Sequence, residues 1–395
     1  MKINISINNN IMTISQVKKL AVENAREFER VVIEQADDSV SIIFDANYLE
    51  YISSTGLRAL LNIRKKHDLS VINVSQDVYD IFETTGFCEI IPTKKKRKQI
   101  NIEGCEVIGT GGTGTIYRID EETVAKVFNH SFDLPAVERE HDITKNALVS
   151  GIPTMIPFDI AECNGQYAIV YELLTGSDYV NIIRKNPGKM SEYIRDYAGF
   201  IREMNRVSVS PKIFKSHKET YINLLESCEA KLSEEEYKLF RKLFEAIPEG
   251  YGFVHGDCHM KNIMLSDNER LIIDLEGCGY GHYFFELIAI CCDYKLPGLS
   301  MFKGMKDFVV EMVMGFNKAR CLEIWNLFFE EYMGDNDNKR DIDEMCTVYA
   351  YLRHTLNAFL NPLLAPDFII EEMKKYILEA ANINFDKYRK LLKQM

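Results

Sequence analysis

The stretch from Phe253 to Glu276, FVHGDCHMKNIMLSDNERLIIDLE, gathers residues able to do chemistry at tight spacing. His255, Gly256 and Asp257 come first, and Asn262 stands five residues after the Asp. A short hairpin, expected to turn at Asp267-Asn268, then leads to a strand that ends in Asp274. Moving a phosphoryl group needs a base or orienter beside the incoming hydroxyl, and oxygen ligands for Mg²⁺. Asp257 suits the first task. The amide oxygen of Asn262 and the carboxylate of Asp274 suit the second, as hard donors for a hard ion. His255 is expected to fix the loop by hydrogen bonding. A lone His-Gly-Asp carries little weight, so the meaning of the stretch depends on what precedes it.

Upstream, Val107 to Val127 reads VIGTGGTGTIYRIDEETVAKV. Gly109, Gly111 and Gly114 form a side-chain-free tip between two β-patterned runs, which lets backbone amides approach phosphate. Lys126 on the return strand can reach the α and β phosphates. A dinucleotide fingerprint would need a helix directly after the glycines, whereas TIYRI is β-branched and aromatic. A Walker loop would need Gly-Lys-Ser/Thr, which is absent. The next segment, Leu134 to Leu148, has helical period and carries Glu138 and Glu140, one of which should pair with Lys126. Glu140 is the choice, because Val137, His141, Thr144 and Leu148 then share the neighbouring inward face. Asn164-Gly165 is a two-residue hairpin signal, and AIVYELLTG after it reads as a last strand and a hinge.

In this order, residues 101–290 resemble the aminoglycoside phosphotransferase and choline-kinase-like branch of the protein-kinase-like fold. That branch uses His-Gly-Asp-x-x-x-x-Asn and Ile-Asp-x-Glu, matched here by His255, Gly256, Asp257 and Asn262 and by Ile273, Asp274 and Glu276. The resemblance implies ATP and Mg²⁺ as cofactors, with adenine on backbone groups near Glu172 to Leu174. It also implies a loop-ordering role for His259, and a scaffold role for Glu286, which stands where the branch usually has Asp. The chain passes from Asp274 to the next helix, near Tyr283, in fewer than ten residues, and no Ala-Pro-Glu follows. The platform that protein kinases use for peptides is therefore missing, and a small-molecule hydroxyl is the expected acceptor. Lys261 is expected to reach the γ-phosphate or to face solvent. Two other readings stay open: a kinase acting on a protein serine, and a nucleotide-binding pseudokinase.

The elements that must carry these residues suit a multidomain chain. At 395 residues two or three domains are expected. Residues 1–93 alternate strand and helix patterns. Ser41 to Phe44 and Ser70 to Val74 read as buried strands, and Val17 to Gln35, Leu57 to Ile63 and Val78 to Phe82 as helices. Within them, DANYLEYISSTGLRALLNI (Asp45 to Ile63) resembles the STAS, or anti-sigma-factor antagonist, family. There the first serine of the turn is a phosphorylation switch, a position that falls on Ser54. Ser53 replaces the family's Asp, and the plainer reading is that Ser53, Ser54 and Thr55 cap the helix. The resemblance implies a domain that binds a protein partner and catalyses nothing. A basic run, Lys94 to Lys98, is expected as a linker over 94–100. A bilobal kinase-like α+β domain follows, with its N-lobe at 101–176 and a mostly helical C-lobe at 177–395. The C-lobe helices are expected to include Met190 to Val207, Glu219 to Ala246, Met301 to Glu331 and Ile342 to Phe359.

Composition narrows the partners. The chain is 46% hydrophobic with a net charge of -12, which suits a packed core and disfavours nucleic acid and anionic membranes. No run reaches eighteen apolar residues, and the ten cysteines form no CxxC pair. Free thiols and a cytoplasmic location are expected.

Overall fold

The computed structural model describes residues 2–37, 39–266, 269–302 and 304–395, so the expected turn at Asp267-Asn268 lies outside the described residues. The chain divides into two compact units. One comprises Met1–Asn101 and Ile160–Gly165, the other Ile102–Asp159 and Gln166–Met395.

In the first unit a five-stranded sheet runs in the order Asn4–Asn8, Ile11–Ser15, Ser41–Asp45, Leu69–Val74, Thr93–Lys95. The outer pair at the N-terminus is antiparallel and the other neighbours are parallel. Met12 and Ile14, then Ile42 and Phe44, alternate into a core that they share with Phe28, Leu60 and Phe82 of the helices. The helices are Ala25–Gln35, Ser54–Lys66 and Gln76–Thr84.

Two differences from the sequence reading have local causes. The helix expected from Val17 starts only at Ala25, because Asn24 accepts from the Ala21 amide and donates to the Lys19 carbonyl, each at 2.8 Å. That local turn competes with helix, as Asn side chains commonly do. It leaves Lys19–Leu20 to pair with Tyr51–Ile52. The basic run expected as a linker begins inside the sheet, since Thr93–Lys95 is an edge strand beside Leu69–Val74.

Helix Ser54–Lys66 is capped by Ser53, whose hydroxyl accepts from the Gly56 amide and donates to the Leu20 carbonyl, both at 3.2 Å. Ser54, in the first turn, is exposed.

The second unit opens with an antiparallel array in the order Gln166–Glu172, Thr123–Phe128, Gly114–Arg118, Glu106–Thr110. Asn164 and Gly165, at φ 49° and 80°, turn the chain just before it, as the Asn-Gly signal predicts. Helix Leu134–Val149 starts where the Asp133 carboxylate accepts from the Ala136 amide. Two small sheets then frame the loop that follows Val254. One joins Lys215–Ser216, Gly279–Gly281 and Gly252–Val254, and the other joins Ser177–Asp178, Ile263–Ser266 and Glu269–Ile272.

The remainder is helical around a large apolar core that includes Trp325, Tyr349 and Phe244. Two expected helices are each split in two. Ser233 forms a capping box with Glu236 and starts Glu234–Ala246 afresh after His217–Ser227. Gly315, left-handed at φ 85°, ends Asp307–Met314 before Lys318–Met333. Among the described residues no helix is long and apolar enough to cross a membrane. Seven of the ten cysteines are buried, and burial pushes Cys278, Cys292 and Cys321 up to about 12.

The Ser53 cap yields a stability expectation. Ser53→Ala should destabilise the first unit by about 1 kcal/mol through the lost cap. Ser54→Ala, at an exposed position, should stay within about 0.5 kcal/mol of the wild type. Amide exchange in residues 54–66 of the full chain distinguishes the two.

Candidate active site

Backbone register brings the candidate residues together. Ile263 pairs with Ile272, so Asn262 and Ile273 flank the end of the hairpin, and the Ile273 amide donates to the Asn262 carbonyl at 2.9 Å. Asp274 therefore follows directly beside Asn262. The Asn262 side chain is buried, and its Nδ2 donates to the Asp257 carbonyl at 2.9 Å, which leaves Oδ1 as its open donor atom toward a cation. Asp274 is exposed and left-handed, at φ 63° and ψ 63°. A non-glycine residue in that region costs on the order of 1 kcal/mol or more and is tolerated where surrounding structure imposes it.

The loop carrying Asp257 is held from several sides. Gly256 is at φ 80°, and a Cβ there would lie 2.6 Å from the His217 ring, so only glycine fits. His255 is fully buried. Its Nδ1 accepts from the Asp257 amide at 3.2 Å and its Nε2–H donates to the Ile273 carbonyl at 3.1 Å, which fixes the orientation of the ring. The Glu286 carboxylate, also fully buried, accepts from the His255 amide at 2.6 Å and from the Gly256 amide at 3.0 Å. Burial pushes the Glu286 carboxyl up, while His255, the two amides and Asn205 draw it back. The Tyr197 hydroxyl donates to the Cys258 carbonyl at 2.6 Å, and the Tyr294 hydroxyl accepts from the Met260 amide at 2.9 Å. Amid these restraints the Asp257 side chain is exposed. The His259 ring lies beside it, with Nε2 3.9 Å from Oδ2. Burial lowers the His259 ring's affinity for a proton, against the pull of Asp257.

On the strand array, Lys126 sits opposite Ile116, which in turn pairs with Gly109. Its ammonium donates to Glu140 at 2.7 Å, so Glu140 rather than Glu138 is the partner. The Tyr171 hydroxyl donates to the same carboxylate oxygen at 3.3 Å. Burial raises the Glu140 carboxyl, Lys126 opposes it, and Asp274 and Glu276 add to the rise. Gly114 is required by close approach, since a Cβ would lie 2.3 Å from the Val127 carbonyl oxygen. The Gly111 amide donates to the Gly114 carbonyl at 2.9 Å, and Asn129 donates to Gly112 at 2.8 Å, which together shape the tip. At the expected hinge the Glu172 amide bonds Ile156 and the Leu173 amide bonds Glu122, leaving the Leu174 amide unpaired among the described residues.

The Lys261 ammonium donates to the Met312 and Val313 carbonyls at the end of helix Asp307–Met314, in an exposed contact. The carboxyl end of a helix carries partial negative charge and attracts a cation. Three residues escaped the sequence reading: His217, whose Nε2–H donates to the Val254 carbonyl at 3.1 Å, Asn205, which donates to Phe253 at 2.9 Å, and Arg353, which donates to Gly256 at 2.9 Å. Each reaches the loop from at least 37 residues away, and no local motif marks it.

Among the described residues no group of three or more His, Cys, Asp or Glu gathers as a metal site. An ion held by Asn262 and Asp274 would need further oxygens, as Mg²⁺ commonly takes from substrate phosphates.

The model of the phosphotransferase enzyme family matches residues 104–319, and that of the STAS domain matches residues 2–100. Over 81 residues the chain is 31% identical to BtrV of Bordetella bronchiseptica, described as an anti-sigma factor antagonist, covering 19% of this chain and 70% of that protein. Among solved structures, ADP-bound aminoglycoside phosphotransferase APH(2'')-Ib is 13% identical with a TM-score of 0.46, over 77% of this chain and 96% of that one. A choline/ethanolamine kinase family protein from Mesorhizobium loti is also 13% identical with a TM-score of 0.46, over 74% and 92%.

Acid should loosen the base of the loop. Burial lowers His217 from 6.5 to about 4. Between those values the unfolded chain binds a proton that the folded chain refuses, so stability falls as pH drops through this window. The loss should reach about 3 kcal/mol near pH 4. His217→Gln should lack that part of the acid sensitivity in denaturant titrations at pH 7 and pH 4.5.

Proposed function

Because the chain belongs to the phosphotransferase enzyme family and carries a STAS domain, we propose that it transfers the γ-phosphoryl group of ATP, in the presence of Mg²⁺, to a hydroxyl of a small molecule. The observation that carries this reading is the hairpin register that sets Asn262 beside Asp274 while Asn262 also bonds the backbone of Asp257. A base position and two oxygen donors thus share one short rigid unit.

Asp257 accepts or orients the proton of the incoming hydroxyl, and His255 and Asn262 hold its backbone. Lys126, kept extended by Glu140, meets the α and β phosphates. Amides of the loop at Gly109, Gly111 and Gly114 cover the phosphates, and backbone groups from Glu172 to Leu174, the open Leu174 amide among them, take the adenine edge. Asn262 Oδ1 and Asp274 are the residues that would hold Mg²⁺, which when bound offsets phosphate charge. The case for a small acceptor rests on chain economy. From Asp274 the backbone runs through Gly279–Gly281 straight into helix Phe284–Ile290, with no segment to bind a peptide.

The STAS domain is proposed to dock a protein partner, with Ser54 as its point of control. Ser54 is exposed in the first turn of its helix and its hydroxyl makes no hydrogen bond among the described residues, so a phosphate there would meet free amides and the positive helix end. This favours a second reading, in which the chain phosphorylates its own kind at Ser54.

Asp257→Asn should lower transfer by about 10²-fold or more while Mg·ATP still binds. Unaltered turnover would remove Asp257 from the base position. Asp274→Ala should weaken Mg-dependent nucleotide binding in calorimetry, and an unchanged affinity would place the metal elsewhere. Intact mass after incubation with Mg·ATP tests the second reading, which requires one added phosphoryl on Ser54 that Asp257→Asn lacks.

A further inference from the structure

We propose that Arg353 is a positioning residue for phosphoryl transfer, fixing the peptide between Gly256 and Asp257 from a helix that lies far along the chain. The proposal rests on the assignment of Asp257 as the base or orienter.

Every backbone group that could turn Asp257 has a partner. The Gly256 amide is held by Glu286, the Asp257 amide by His255 and the Asp257 carbonyl by Asn262. The remaining group, the Gly256 carbonyl, is held by Arg353 Nη2 at 2.9 Å, from helix Lys339–Leu360. The other three clamps come from residues 255–286, so Arg353 is what ties the loop to the distant helix.

The guanidinium is not half of an ion pair. Its Nη1 is buried without a hydrogen-bond partner among the described residues, as is Oδ2 of Asp293 in the π-helical turn Cys291–Lys295. Burial works against the Arg353 charge, and the nearby carboxyl groups of Asp293 and Asp257 oppose that effect. A largely buried cation with one hydrogen bond is a poor stabiliser, and an apolar side chain of similar volume would do as well or better. Its contribution therefore lies in where it puts the Gly256 carbonyl. π-Helical turns of this kind are frequent at functional sites.

The test separates positioning from charge balance. Arg353→Met leaves Asp293 without its nearby cation, so its stability is not informative alone, and Asp293→Asn is added to remove the stranded charge. In full-length Arg353→Met/Asp293→Asn the melting temperature should return to the wild-type value and Mg·ATP affinity should stay within about twofold. Phosphate release to water from Mg·ATP should nonetheless fall by about 10²-fold, the scale of a misplacement near 1 Å. Amides of residues 255–258 should exchange about 10-fold faster. Arg353→Lys, with one donor able to reach the carbonyl, should recover part of both. A double variant with wild-type loop protection overturns the proposal, as does one with wild-type phosphate release. Asp257→Asn run alongside locates the fault: if it too releases phosphate at the wild-type rate, the reading of Asp257 has failed rather than that of Arg353.

Discussion

A carboxylate with no access to water governs the geometry of the site. Removing such a charge from solvent costs several kcal/mol unless hydrogen bonds replace the lost hydration. Glu286 meets that requirement through the His255 and Gly256 amides, with Asn205 at its edge at 3.5 Å. The dependence runs outward from there. With those two amides fixed, the His255 ring is set to receive the Asp257 amide and to donate to Ile273. The Ile273 amide in turn meets Asn262, and Asn262 returns to the Asp257 carbonyl. One buried charge thus anchors the chain of hydrogen bonds that holds the backbone of Asp257 and Asn262.

Elements whose signal is local were legible. The Asn-Gly turn, the glycine tip before Lys126, the Leu134–Val149 helix and the strands Ser41–Asp45 and Leu69–Val74 all arise from neighbours in sequence, where period and turn chemistry act directly. Glu140 could be chosen over Glu138 because helical period alone decides which carboxylate faces inward. What escaped were competitions and long reaches. Asn24 draws its side chain onto the backbone and defeats an apolar pattern that would otherwise extend the helix. Ser233 and Gly315 interrupt two patterns that remain helical on either side. His217, Asn205 and Arg353 act on the loop through tertiary contacts, and a residue that contributes one hydrogen bond from far away leaves no trace in its own surroundings.

Lys261 illustrates how a cation's surroundings override its position in a motif. Adjacent to Asn262, it stands where a phosphate contact is natural. The helix Asp307–Met314 instead presents its carboxyl end, and Arg184 donates to the Gly315 carbonyl at 3.0 Å in the same place. Two cations thus cap one helix terminus whose exposed face carries Phe308 and Met312. Desolvation lowers the proton affinity of Lys261, and the charge of Arg184 lowers it further. The lysine is committed to structure, and Lys126 is left as the side-chain cation placed beside the glycine loop.

The thiols offer an experimental handle of another kind. Only the thiolate reacts readily with alkylating reagents. With Cys258, Cys278, Cys291, Cys292, Cys321 and Cys346 raised by burial, these six thiols hold a vanishing thiolate fraction at neutral pH in the native chain. An unfolded chain would present the same six at ordinary reactivity. The rate of their alkylation therefore clocks the opening of the core in which they are buried.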